Sequence, residues 1–166
     1  MALIVEDGTR PAGANSYVSL VVAREYALAR GITLSAVDAT LESQIIKAMD
    51  WVESHDAQFV GARVDRNQPL SWPRIGAVVD GWSWMDAEIP YQLVAALLEA
   101  ILEVHAGGDL LNSADNLPII RARVEGAVEI EYAKPSDVRT TNRRLALLMI
   151  RRMLKNGGSQ IMAVRV

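Results

Sequence analysis

The chain reads as an α+β, mainly α domain: a small helical bundle of about four helices, with one or two β-hairpins and a C-terminal strand. Three observations predict this. Several stretches repeat apolar residues at helical spacing. Two others alternate around Asp-Gly or Gly, as hairpins do. Apolar residues make up 51 % and charged residues 22 % of 166 positions, which suits one domain with a real core.

Taken in order, Ala2–Val5 is a short apolar strand candidate, and the polar run EDGTRPAGAN after it is a turn. Ser19 is placed to cap a first helix in which Leu20, Ala23, Tyr26 and Ala27 have helical spacing and Gly31 is the stop. The second helix, from about Asp38 to His55, has the cleanest stripe, formed by Leu41, Ile45, Ala48, Met49 and Val52. Glu42, Lys47, Asp50, Glu53 and Asp56 are expected on its outer face. Residues 57–88 are the least regular, yet a structureless loop of that length is unexpected inside a domain. Val78–Trp84 fits a hairpin with Asp80-Gly81 as its tight turn. Trp72, Trp82 and Trp84 are read as anchors that pin this excursion onto the helices.

Ile89-Pro90 opens a third helix, with proline at the first helical position. Leu93, Leu97, Ile101 and Val104 form its stripe, widened by Val94 and Leu98, and Gly107-Gly108 ends it. Asp109–Pro118 is a polar connector. Ile119–Glu125 and Ala127–Ala133 form a hairpin around Gly126, with Val128, Ile130 and Tyr132 on one face and Glu129 and Glu131 on the other.

The charge is divided along the chain. Residues 1–133 hold 9 bases and 19 acids, whereas residues 134–166 hold 8 bases and one acid, Asp137. We therefore separate a body, residues 1–136, from a basic helix and docking strand, residues 137–166, whether as one domain or an extension. The run LALLMI, residues 145–150, would cover every face of a helix with apolar side chains, so the tail is expected to need a partner. Asn156-Gly157-Gly158 stops the helix, and Ile161–Val166 is a terminal strand. The expected partner-binding residues are Arg143, Arg144, Leu147, Ile150, Arg151, Arg152, Lys155, Ile161, Met162, Val164 and Val166. From charge and apolar pattern together, protein docking is weighed above a merely solvated amphipathic helix, and that above contact with nucleic-acid phosphates; no aromatic residue follows Tyr132 to stack a base of single-stranded DNA.

Catalytic chemistry finds little footing. Cysteine is absent, which removes disulfides, thiolate metal sites and cysteine nucleophiles. His55 and His105 lie near the ends of two helices, where bonding to the last carbonyls accounts for them. Glu129 and Glu131 are read as the solvated face of a hairpin. No nucleophile elbow or phosphate-cradling glycine loop is present. The expectation is no enzyme, no catalytic residue, no cofactor and no metal. The N-terminus lacks the basic region of a signal peptide, and no apolar run approaches the roughly 18 residues of a membrane span.

Several stretches together resemble a known family. MALIVEDGT, AGANSYVSL (Ala12–Leu20), LSWPRIG (Leu70–Gly76), the Ile-Pro before the third helix, GDLL (Gly108–Leu111) and VEGAVEIEYA (Val124–Ala133) are similar to tailed-phage proteins labelled DnaT-like single-stranded DNA binding. Members of that family look like head–tail connector, head-completion or adaptor proteins. The resemblance implies a virion protein of the phage neck, assembled in the host cytoplasm. It would form a ring of probably twelve copies that joins the portal protein to a tail or nozzle component. On that reading DNA passes the channel without specific binding, and an acidic body would repel it. The alternative is a single-stranded DNA-binding, DnaT-like replication protein.

Overall fold

The third helix, Tyr91–His105, is the axis of the fold because it is apolar on several sides. Leu93, Leu97 and Ile101 form the expected stripe, but Ala96, Leu98, Ala100 and Leu102 are buried too. Neighbours therefore enclose it: α1 (Leu20–Leu28), α2 (Asp38–Glu53) and α4 (Arg143–Ile150) all pack on this helix, α3. The structure, a computed structural model, describes residues 2–111, 119–124, 128–132 and 143–155.

Local signals set the ends of these helices. Ser19 Oγ accepts the Val22 N–H at 3.3 Å and caps α1. Gly31, at φ +72°, lets Ile32 N–H reach back to Ala27 O, a Schellman stop that any Cβ would strain. On α2, Leu41, Ile45, Ala48, Met49 and Val52 are all buried, and each large side chain contributes about 1.5–3 kcal/mol by leaving water. Pro90 is the residue before α3 rather than its first, with ψ 132° still extended. The expected N-terminal strand reduces to a single parallel bridge between Val5 and Ser16.

Residues 56–83 hold more order than the sequence discloses. A 3₁₀ turn, Asp56–Gln58, leads to β1 (Ala62–Arg63), which pairs antiparallel with β2 (Arg74–Ile75). The expected hairpin comes next as β3 (Val78–Val79) and β4 (Trp82–Ser83). Arg74 is the pin, only 5 % exposed. Its guanidinium donates to Val60 O at 2.9 Å, Gly61 O at 3.1 Å, Ser71 O at 3.2 Å and the Asp56 carboxylate at 2.9 Å. A lysine cannot reproduce that fork. Arg74→Ala is expected to cost about 3 kcal/mol in urea unfolding, because three carbonyls lose a charged donor, and Arg74→Lys should recover only part of it. Equal stability of all three proteins would refute this role.

Two acids assigned to the outer face of α2 turn inward instead. Asp56 binds Arg74 and Arg63. Glu53 accepts the Tyr17 hydroxyl at 2.9 Å, the Ser71 hydroxyl at 2.9 Å and the Ser71 N–H at 2.8 Å. Burial raises the Glu53 carboxyl above its ordinary pKa, against the hydrogen bonds that favour its charged form. The native state thus keeps this proton to higher pH than the unfolded chain does. The stability it contributes is complete below the unfolded pKa and is lost as pH rises through the raised native value. The wild type should therefore lose stability relative to Glu53→Gln across that window in urea unfolding; a constant difference would contradict it.

The later hairpin forms as expected from β5 (Ile119–Val124) and β6 (Val128–Tyr132), with Arg121 opposite Glu131 and Arg123 opposite Glu129 in the register. The helix after it, α4, folds back onto α3 rather than waiting for a partner. Ala146 and Ile150, with Met153 just beyond, are fully buried, while Leu145, Leu147 and Leu148 stay 38–53 % exposed. The apolar run is thus half satisfied within its own chain. The C-terminal strand Ile161–Val166 and the helical start near Asp137 lie outside the described residues.

Candidate nucleic-acid interface

The β3–β4 turn is set by two residues. Asp80 (φ 53°) and Gly81 (φ 83°) both occupy the left-handed region, as a two-residue hairpin of this hand requires. Val79, 4 % exposed, roots the hairpin in the core, and Trp84 N–H closes on Ala77 O at 2.9 Å. Trp82, paired with Val79 in the register, is left 78 % exposed. That overturns its reading as an anchor. Trp72 is fully buried, edge-on to Phe59, and Trp84 packs in part against the core.

The basic segment comes to this hairpin from the far end of the chain. Beyond α4 a 3₁₀ turn, Arg151–Met153, drives Met153 into the core and leaves Arg151 and Arg152 outside. Val60 N–H bonds Met153 O at 2.8 Å, and Lys155 N–H bonds Gln58 O at 2.7 Å. These bonds stitch residues 153–155 to residues 58–60. The Lys155 ammonium reaches Ala57 O at 3.0 Å. Arg152 Nη1 then meets Asp80 Oδ2 at 3.1 Å, tying the basic turn to the turn that precedes Trp82.

Of the predicted partner-binding residues, Arg151, Arg152 and Lys155 come together here on the surface. Leu147 is exposed on α4, whereas Ile150 is fully buried within its own chain. Arg143 and Arg144 begin α4. Ile161, Met162, Val164 and Val166 lie outside the described residues. Trp82 and Asp80 were not among the predicted site residues. No local pattern marks them, because what makes them a site is a contact across 72 positions.

Elsewhere His55 has the bonding role expected, its Nδ1 2.9 Å from Trp51 O, whereas His105 Nδ1 meets the Gln44 side-chain amide, 3.5 Å from Nε2, instead of a helix carbonyl. A surface cleft of about 460 Å³ is lined by Lys47, Asp50, Val104 and residues 107–111, with two acids against one base. It suits phosphate less well than the tryptophan and arginine surface.

Among the described residues the helices share one core, and the hairpin that carries the exposed Trp82 is ion-paired to the basic turn. The chain belongs to the family described as "Putative DnaT-like ssDNA binding protein", whose model matches residues 1–166. No curated protein and no solved structure matches it. The family overturns the adaptor reading taken from the sequence. The portal protein, the ring of twelve copies, the tail or nozzle component and a DNA channel without specific binding fall with it. The acidic body bears on average charge, and the lack of aromatics after Tyr132 bears on stacking within the tail; neither describes a surface assembled from distant segments. Folding pairs Arg152 with Asp80, two residues before Trp82, so the average charge of the chain does not describe this local surface.

Proposed function

We propose that this protein binds single-stranded DNA through Trp82, Arg151, Arg152 and Lys155, in replication in the cytoplasm, and acts by binding rather than catalysis. The family supports the ligand class. The observation that carries the site is Trp82, 78 % exposed on a hairpin ion-paired to the basic turn. An unstacked base can lie on the indole while flanking phosphates meet the guanidinium and ammonium groups. Duplex DNA keeps its bases stacked inside and offers only its phosphates. The chain as a whole carries a net charge of −3, so attraction has to be local and sensitive to salt.

Fluorescence anisotropy with labelled oligo(dT) tests this. Affinity should fall steeply between about 50 and 200 mM salt, with a logarithmic slope near −0.7 per phosphate contacted. Tryptophan emission should be quenched in parallel, since Trp51 and Trp72 are buried and Trp82 is the most exposed indole. Absence of binding at low salt, or equal affinity for duplex of the same length, refutes the proposal.

A further inference from the structure

The tryptophan and arginine surface holds an acid where a phosphate of the DNA would have to go, and the inference drawn from that acid rests on the proposed DNA-binding function. Asp80 Oδ2 lies 3.1 Å from Arg152 Nη1. Asp80 begins the turn that delivers Trp82 two positions later. The side chains of Arg152 and Asp80 are 71 % and 49 % exposed, so the pair contributes little to stability and is free to exchange partners. A phosphate offers the guanidinium the same kind of charged acceptor, with more oxygens to engage its planar fork. We infer that Arg152 is the phosphate subsite for the nucleotide whose base stacks on Trp82, and that Asp80 occupies it in the free protein as a competing anion.

The turn itself allows a clean substitution. Asp80 sits at φ 53°, a conformation asparagine adopts with ease, so Asp80→Asn removes the charge and keeps the hairpin. Asp50→Asn, at an exposed position on α2, changes net charge equally without an ion pair to Arg152. Binding to labelled oligo(dT) at low salt should tighten about fivefold in Asp80→Asn, the scale of one close charge interaction in water. The gain should vanish when Arg152→Ala is added, and Asp50→Asn should change affinity by less than about twofold.

An equal gain in Asp50→Asn overturns the subsite, as does a gain that survives Arg152→Ala. If Asp80→Asn is silent while Trp82→Ala still weakens binding, the subsite falls and the proposed function stands. If neither the wild type nor any variant binds, both fall.

Discussion

Trp82→Ala is expected to weaken binding to oligo(dT) by about 5- to 150-fold, the range of one base–aromatic stack. Adding Arg151→Glu and Arg152→Glu should take the loss beyond about a hundredfold and make the salt slope shallower by at least about 1.4, two phosphate contacts at 0.7 each. These side chains are exposed, so stability should move by no more than about 0.5 kcal/mol. The two measurements separate binding from folding. Trp82→Phe should recover part of the affinity, because a smaller ring still stacks. If Trp82→Ala binds like the wild type while the arginine variant does not, the surface is electrostatic alone and the stacking role is wrong.

Ile150→Asp should have the largest effect on the fold. Ile150 is fully buried where α4 meets α3, so a carboxylate there would lie in the core without a partner. A loss of about 4 kcal/mol or more in urea unfolding is expected, against about 0.5–1.5 kcal/mol for Ile150→Val. Hydrogen exchange should rise first in residues 143–155, since Ala146, Ile150 and Met153 hold that segment down together. In a variant that still folds, residual DNA binding should keep its dependence on Trp82 and lose salt sensitivity, because the basic turn would no longer be held at the hairpin through Arg152 and Asp80. Wild-type stability in Ile150→Asp would mean that α4 does not pack on α3.

Most of the regular structure was legible because it is written locally. Ser19 at a cap, Gly31 and Gly107 at stops, and the stripe from Leu41 to Val52 are patterns closed within a turn or a few turns of helix. The same holds for Asp80-Gly81, since a two-residue turn is chosen by the conformations its own residues tolerate. What these patterns leave open is which of several polar or aromatic side chains the rest of the chain will cover. Glu53 has the spacing of a solvent-facing residue, yet Tyr17 and Ser71 close over it. Arg74 sits in an unpatterned loop and becomes the buried centre of that loop's hydrogen bonds.

The candidate site belongs wholly to this second kind of information. Trp82 and Arg152 are each ordinary in sequence, one an aromatic in a hairpin and the other a base in a basic run. Arg152 reaches Asp80, two residues before Trp82, because α4 packs on α3, Met153 enters the core, and residues 153–155 bond to residues 58–60. By itself the sequence determined the helices, the hairpins and the division of charge, through propensity and periodicity. Only tertiary packing decided that the Trp82 indole would be left in water on a hairpin tied to those charges through Asp80, because exposure is what remains after distant segments have buried everything they can.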